Sequence, residues 1–437
     1  MSWWRRWRAT LCAAATALSL SAAATGAQAP AARGASTPAP VPEPGSELEV
    51  TLMTFGLGEE VFERFGHNAL WIHDAANGTN VAYNWGLFSF RQPHFLQRFL
   101  TGDTRYWMGG QDANLMIAQY QALGRPLTLQ RLNLTPAQKV ALRDFLHWNE
   151  QEENRYYRYD YFRDNCSTRL RDALDHALGG ALKAATDTII TPFTYRRESV
   201  RLTDGDRPIQ TGIDIALGRP ADAPLTMWES FFIPMRLRDA IRDLTLPIGP
   251  NGAPVKLVAD ERHIEPFPGT PLVPELTTAP RLVWRLLFVG IVLAATLAVI
   301  RVMAMSRRGA AWGFALVASV WSLLCGVIGV IIVLAWTATR HVFWAWNENL
   351  LQLSPLSLLL VVLIPLALLR GRATRAARVV AAAILLLSAF GLLLAIIPGG
   401  QENRAIVAMF FPVHLVLAWA LAQPQVQPPR VASPPTR

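Results

Sequence analysis

The sequence predicts an exported α+β domain followed by an all-α membrane domain of about five transmembrane helices. Three observations predict this organisation. The chain begins with a basic, then apolar, then small-residue segment, which is typical of a secretory signal. Residues 47–280 mix strand and helix patterns, whereas residues 281–422 consist mainly of long apolar runs. The chain has 437 residues, of which 51% are hydrophobic, so it is long enough for two or three domains.

The first 46 residues are interpreted as a signal peptide and a linker. The opening MSWWRRWRATLCAAATALSLSAAATGAQAP has a basic start, a short apolar stretch and small residues that allow cleavage near Ala27. We therefore assign residues 1–27 to a signal peptide. Residues 28–46 are rich in proline and alanine and contain little that could pack, which is typical of an extended linker.

The exported domain, residues 47–280, begins with strand patterns. LEVTLMTF, residues 48–55, starts with the alternation of a half-buried strand. GHNALWIHD and VAYNWGLF, residues 66–74 and 81–88, flank a run of turn-forming residues and indicate a hairpin. If the turn centres near Asn77, paired residues have numbers that sum to about 153. Asn84 then lies opposite Ala69, on the same face as His67.

Helix patterns are interleaved with these strands, so the domain is α+β. Residues 135–138 carry a threonine N-cap, a first-turn proline and the glutamine of a capping box, which predicts a helix to about Glu153. PHFLQRFLTG predicts a short helix with Phe95, Phe99 and Leu100 facing inward. MWESFFIPMRLRDAI, residues 227–241, fits either a helix on the bilayer surface or one packed on the domain.

Five apolar runs follow, each near the roughly 20 residues that span a bilayer. They cover residues 282–300, 310–336, 353–369, 377–398 and 405–421. Arginines cluster after the first and third runs, which places those two loops in the cytoplasm. The exported domain and the loops near residues 341–349 and 399–404 then share the outer side. Residues 423–437 form a cytoplasmic tail, and the protein is expected in a bacterial inner membrane.

The formal net charge of +9 is consistent with this membrane topology. Many of the arginines lie at the N-terminus and between the apolar runs, where the topology accounts for them. No basic stripe interleaved with aromatic residues predicts nucleic-acid binding.

Cys166, in DNCSTRLRD, is the only cysteine of the exported domain, so no intramolecular disulfide can form there. Leu170 and Leu174 follow at four and eight residues, which places Cys166 on the inward face of a predicted helix. It also lies in the first turn, where the helix dipole favours a thiolate. This arrangement is the one papain-like enzymes use. The alternative is a buried structural cysteine whose polar neighbours are helix caps.

His67 is the best candidate for a base beside this thiol. It begins a strand, and Gly66 leaves room next to it. Asn84 is the candidate third catalytic residue, because its amide could accept a hydrogen bond from the imidazole. Asn165 and Tyr83, the neighbours of Cys166 and Asn84 in the sequence, are candidates for substrate binding.

Other chemistries have weaker support in the sequence. His67, His73 and Cys166 do not show the spacing of a metal site, so no metal and no other cofactor is expected. No G-x-S-x-G motif predicts a serine nucleophile, and no glycine-rich loop predicts phosphate binding.

FGHNALWI, YNWGLFSF, FLQRFLTGDTRYWM and YDYFRDNCSTRLRD resemble the N-terminal periplasmic domain of the Lnb-type lipoprotein N-acyltransferases. More distantly, the chain is similar to the lecithin:retinol acyltransferase and NlpC-type group, in which histidine precedes cysteine. The resemblance implies a permuted papain-like fold in residues 47–280, with His67 as base and Cys166 as nucleophile. The membrane half resembles the family more loosely.

The resemblance implies transfer of an acyl chain from a membrane phospholipid to the α-amine of a diacylated lipoprotein. A Cys166 thioester would be the intermediate. The outer-side loops of the membrane half supply His341, Asn349 and Asn403 as candidates for binding a lipid headgroup, although such residues can also cap helices and face water. Two other functions stay open: a membrane-anchored cysteine hydrolase acting on the cell wall, and a non-catalytic envelope assembly protein.

Overall fold

The computed structural model describes residues 43–275, 278, 282–370 and 372–423. The predicted signal peptide lies outside these residues. So do most of the predicted linker, residues 28–42, and nearly all of the predicted tail, residues 424–437.

The strands are numbered in chain order. They are β1 (Leu48–Phe55), β2 (His67–Asp74), β3 (Thr79–Leu87), β4 (Arg105–Asp112), β5 (Leu127–Leu132), β6 (Tyr156–Arg158), β7 (Thr245–Leu246), β8 (Val255–Lys256) and β9 (Val258–Ile264). Seven of them form one antiparallel sheet in the order β6-β4-β3-β2-β1-β5-β9. β7 and β8 form a separate pair.

The predicted hairpin is present with the predicted register. Leu70 pairs with Tyr83 and Asp74 with Thr79, so the paired numbers sum to 153. β1 differs from the half-buried strand that was predicted. It lies in the middle of the sheet with only Glu49 exposed, because helices cover both faces there.

The helices of the α+β domain are also numbered in chain order. They are α1 (Phe95–Thr101), α2 (Ala113–Ala122), α3 (Pro136–Glu150), α4 (Cys166–Ala177), α5 (Ala181–Thr186), α6 (Tyr195–Leu202), α7 (Arg207–Ala216), α8 (Met227–Ser230) and α9 (Pro234–Ile241). α3 begins at the predicted capping box, in which Thr135 accepts a hydrogen bond from the Gln138 main chain.

Two apolar layers sandwich the sheet. Leucines of α3 and α4, including Leu146 and Leu170, pack with Leu52 and Leu70 on one face. Residues of α2, including Met116, pack with Met53 and Ala69 on the other. Since side chains alternate along a strand, His67 and Asn84 belong to the α2 side.

The structure determines the burial of two apolar helical segments, of which only α1 differs from the sequence prediction. Phe99 and Leu100 of α1, predicted to face inward, are more than half exposed, and α1 has no buried residue. The segment predicted either to lie on the bilayer or to pack is packed, because Phe231, Phe232 and Met235 of the α8–α9 region are almost fully buried. Of these two segments, α1 is therefore the exposed one.

The membrane part consists of α10 (Leu282–Met303), α11 (Arg308–Ala338), α12 (Ser357–Leu369), α13 (Arg375–Ile396) and α14 (Arg404–Ala422). Four of these described helices are long and apolar enough to cross a membrane. The third predicted span, α12, has only 13 residues and contains Pro365. At about 1.5 Å per residue it covers about 20 Å, less than the hydrocarbon core of a bilayer.

Both predicted outer-side loops contact the α+β domain. The loop after α11 donates from the Arg340 main chain to Thr101 O at 2.9 Å. The loop before α14 donates from the Gln401 side chain to Leu217 O at 3.1 Å. These contacts place the domain at the end of the membrane helices that the arginine distribution predicts to be outside.

Candidate functional site

Cys166 is the first residue of α4, and Asn165 fixes this helix start. The Asn165 side-chain oxygen accepts from the main-chain N–H groups of Ser167 and Thr168. Thr168 completes the capping box by accepting from the Asn165 N–H at 2.8 Å. The cap holds the first turn of α4 in one conformation, so the direction of the Cys166 side chain is fixed by local sequence.

The Cys166 thiol lies where the paired strands β2 and β3 separate. Their pairing stops at Leu70 and Tyr83, and β3 is irregular between Asn84 and Leu87. Gly86 in this irregular stretch has φ +89°, and a Cβ built on it would lie 3.3 Å from the Cys166 Cβ. A side chain at position 86 would therefore crowd the thiol.

Asn68, the residue after His67, connects β2 to the start of α4. Its main-chain N–H lies against the Cys166 thiol and lowers the thiol pKa. Its side-chain amide donates to Ser167 Oγ at 3.1 Å, and Ser167 donates onward to Phe231 O at 2.6 Å. Asn68 and Ser167 are completely buried, so these bonds hold the strand and the helix start together.

His67 is held by Asn84, as the hairpin register predicted. His67 Nε2 lies 3.3 Å from Asn84 Oδ1, and the Asn84 amide nitrogen donates to Gly109 O at 3.2 Å. The second bond fixes the amide orientation, so Oδ1 faces the imidazole. Because a carboxamide oxygen only accepts, Nε2 carries the ring proton in neutral His67. Nδ1 is then the free basic nitrogen.

The thiol and the imidazole are both neutral in the folded protein. Burial raises the pKa of Cys166 to about 11, although nearby N–H groups and Arg125 lower it. Burial and the positive charge of Arg125 lower the pKa of His67 to about 4, although the hydrogen bond to Asn84 raises it. The helix start therefore does not produce the thiolate that the sequence predicted, because burial dominates. Within the described residues, no hydrogen bond joins His67 to Cys166.

Arg125 is a buried cation whose charge acts on both His67 and Cys166. Its side chain is 3% exposed and lies over the Tyr120 ring, whose plane is nearly parallel to that of His67 at 6.3 Å. Nε donates to Gly56 O at 2.9 Å, and Nη1 lies 3.6 Å from Glu63. The remaining nitrogen, Nη2, is buried and has no hydrogen-bond partner in the part of the chain that the structure describes. The charge therefore acts mainly on the interior of the site.

An open cleft of about 310 Å³ adjoins the imidazole on the α2 side of the sheet. Its wall includes Asn84, Leu87, Met116, Tyr120 and Arg125. The rest of the lining is also mixed, since it includes the Glu63 carboxylate and the Gln111 and Gln119 amides. The cleft thus combines apolar and polar side chains with the buried charge of Arg125, next to Asn84, which holds His67.

Asn165 and Tyr83, the predicted substrate-binding residues of the α+β domain, are engaged elsewhere. The Asn165 amide nitrogen donates to Tyr161 O and Phe232 O, and its oxygen caps α4. Tyr83 is 4% exposed and packs in the core that contains Leu70. Their observed contacts position α4 and fill the core, and neither side chain faces the cleft.

The predicted headgroup-binding residues of the membrane part join the two parts of the chain. Asn349 is fully buried, and its amide donates to Asp214 O and Ile215 O at the end of α7. Asn403 donates to Asn349 Oδ1 at 2.9 Å. His341 Nε2 lies 3.2 Å from Phe99 O of α1. These side chains therefore serve in docking, and none of them lies at the cleft.

Asn68, Gly86 and Arg125 were not found by sequence reasoning. Asn68 follows His67 directly, so its position on β2 was a usable signal. Gly86 in YNWGLF interrupts a strand pattern, which indicates a bulge or a close approach. Arg125 had no signal, because its proximity to the site depends on how α2 packs on the sheet. His73, part of the metal hypothesis, lies further along β2 and bonds to Asn80.

The fold and the site define a class: an α+β domain with one half-buried thiol, attached to apolar helices. Residues 44–199 match the family model of the Lnb N-terminal periplasmic domain. This confirms the resemblance for that segment, whereas residues 200–275 of the α+β part lie outside the match. The helical part makes the chain a membrane protein with a periplasmic domain. Neither a curated protein nor a solved structure matches the chain.

Proposed function

We propose that the protein is an apolipoprotein N-acyltransferase of the inner membrane. An acyl chain would move from a membrane phospholipid to Cys166 and then to the α-amine of a diacylglyceryl-cysteine. The observation that carries this proposal is the placement of Cys166 at the start of α4, against the main-chain N–H of Asn68, the residue that follows the Asn84-held His67 on β2. A helix-start cysteine preceded in the chain by a strand-borne histidine is the order expected of a permuted papain-like site.

In the first step His67 Nδ1 would take the Cys166 proton as sulfur attacks the ester carbonyl. The bond from the carbonyl carbon to the glycerol oxygen breaks, and His67 returns the proton to that oxygen. The products are a Cys166 thioester and a lysophospholipid. The main-chain N–H of Cys166, which lies beside the thiol and has no intrahelical partner at a helix start, is available to the oxyanion.

In the second step the lipoprotein amine would attack the thioester carbonyl. The bond to sulfur breaks, His67 accepts a proton from the amine, and that proton returns to the thiolate. A general base suits the neutral pair, because proton removal then accompanies attack and does not precede it. Attachment to membrane helices supports lipids as both partners, since donor and acceptor are anchored in the same leaflet.

The test uses a bacterial strain whose lipoprotein N-acylation depends on this gene. Mass spectrometry of a reporter lipoprotein should find a third acyl chain and a blocked N-terminus with the wild type. With Cys166→Ser the reporter should keep two chains and a free amine. Release of cell-wall peptides without a third chain would support the cysteine hydrolase. Full acylation by Cys166→Ser would contradict a cysteine nucleophile and leave Cys166 a structural residue.

A further inference from the structure

Apolar side chains on and around α1 form an unusual exposed surface. Its members are Phe62, Phe88, Phe90, Phe95, Leu96, Phe99 and Leu100, here called the α1 surface. Five of these seven, all but Phe88 and Phe95, are 51–68% exposed. Exposed apolar groups of this size gathered in one place are typical of a binding surface.

The α1 surface adjoins the outer end of a membrane helix. Arg340 and His341 follow α11 closely, and both contact the α1 region: His341 bonds to Phe99 O, and Arg340 bonds to Thr101 O and pairs with Asp103 at 3.0 Å. Gly102 allows this approach, since its φ of +71° ends α1 and a Cβ there would lie 3.2 Å from the Arg340 carbonyl carbon. The exposed rings are thus held near the level where lipid begins.

The same surface leads to the thiol. Successive ring centroids lie 6.2 Å apart for Phe99–Phe95, 6.1 Å for Phe95–Phe88, 5.0 Å for Phe88–Tyr106 and 4.3 Å for Tyr106–Tyr159. Tyr159 Cε2 and Cys166 Cβ both lie close to Gly86, at 3.9 and 3.3 Å from the position a Cβ there would take. An aromatic series therefore runs from the membrane end of α11 to the candidate nucleophile.

We propose that the α1 surface binds the acyl chain of a membrane phospholipid and directs its ester toward Cys166. The inference rests on the proposed acyltransferase function and adds to it the place where the donor lipid enters. A long hydrocarbon chain fits because the surface is apolar, extended and adjacent to the bilayer. Burying this surface against an acyl chain removes exposed hydrocarbon from water, which favours binding.

The experiment uses the full chain in phospholipid nanodiscs and measures acylation of Cys166 by mass spectrometry. Two donors are compared: a phospholipid with long chains, and a water-soluble thioester with a short chain. Leu96→Glu and Phe99→Glu should lower the ratio of long-chain to short-chain acylation rates about tenfold or more. Leu115→Glu is the matched control, because Leu115 is an exposed leucine on α2 outside the α1 surface, and its ratio should stay that of the wild type.

The outcomes separate this inference from the function it rests on. An unchanged ratio in both α1 variants would overturn the acyl-chain site while leaving the enzyme in place. Equal loss with both donors would also overturn it, since α1 would then only support the fold. If wild type is acylated by neither donor, the proposed function itself fails. A phospholipid carrying a diazirine on its acyl chain should crosslink to the α1 peptide, and crosslinking only elsewhere would contradict the site.

Discussion

At the scale of single residues, three side chains set the chemistry available to the thiol. Asn84 accepts from His67 Nε2, so Nδ1 is unprotonated. Burial lowers the pKa of His67 to about 4, so the imidazole is neutral above that pH. Arg125 adds a positive charge that lowers the pKa of both His67 and Cys166. Thiol and imidazole are therefore both neutral at rest, and the proposed reaction would need proton transfer during attack.

The acid limb of the pH profile should report the His67 pKa. Acylation from a soluble thioester needs neutral His67, so its rate should fall only as the pH drops toward about 4. Arg125→Gln removes a charge that lowers this pKa, so the limb should move to higher pH. Arg125→Lys keeps the charge and should leave the limb near that of the wild type. If the acylation rate falls at the same pH in all three proteins, His67 does not control the rate.

Asn84 should affect orientation and basicity separately. Asn84→Ala removes the acceptor for His67 Nε2 and should slow Cys166 acylation about tenfold or more. Asn84→Asp keeps an acceptor but adds a negative charge, which should raise the His67 pKa and move the acid limb upward. Rates are measured from pH 4 to 9 by mass spectrometry of the acyl-enzyme. A wild-type rate in Asn84→Ala would remove this residue from the site.

At the scale of elements, the thiol is placed by a junction between β2, β3 and α4. The strands separate beyond Leu70 and Tyr83, and Gly86 leaves space for the first turn of α4. Neither strand alone nor the helix alone creates the site. The proposed site therefore depends on the sheet irregularity as well as on the Cys166 thiol.

Gly86→Ala should disable the site through this junction. A methyl group there would lie 3.3 Å from the Cys166 Cβ on a backbone with positive φ. Gly78→Ala is the control, because Gly78 also has positive φ but no heavy atom within 4 Å of the added carbon. Both variants should lose about 1 kcal/mol of unfolding free energy. Only Gly86→Ala should lose Cys166 acylation, and a fully active Gly86→Ala would refute the close packing described above.

The docking of α7 onto the outer loops gives a second element-scale prediction. Asn349→Ala removes two buried hydrogen bonds to α7 and takes away the acceptor of the buried Asn403 amide, so it should lower the unfolding free energy by about 1–3 kcal/mol. Asn403→Ala loses one bond to Asn349 and should cost less. Thermal unfolding in detergent measures both. A normal melting temperature with a raised KM for phospholipid would instead return Asn349 to the role of headgroup ligand.

Local patterns predicted some elements well and others poorly. The start of α3 was predictable because a capping box is complete within four residues, and the hairpin register followed from its turn and its alternation. The exposure of α1 and the burial of α8 and α9 could not be predicted from local patterns. The apolar content of these segments is similar, and only the fold decides which is covered. Arg125 likewise could not be identified as a site residue from the sequence, because a single arginine forms no pattern.

At the scale of the whole molecule, the site lies in a domain that several contacts join to the membrane part, two of which involve α1 and α7. α1 meets the end of α11, and α7 meets the loops before α12 and α14. The sequence predicted the order of the domains and the outer side of these loops. It predicted about five spans, whereas four described helices have the length to cross a bilayer and α12 does not. These contacts fix the position of the domain that contains Cys166 relative to the ends of the membrane helices.

The central claim is that Cys166 carries an acyl chain taken from a phospholipid. The most direct measurement is mass spectrometry of the full chain after incubation in phospholipid nanodiscs without a lipoprotein acceptor. We predict one hydroxylamine-sensitive acyl group on the peptide that contains Cys166, and its loss when a diacylated lipoprotein is added. An unmodified Cys166 in wild type that has retained its fold, with the lipoprotein nonetheless acylated, would contradict the account.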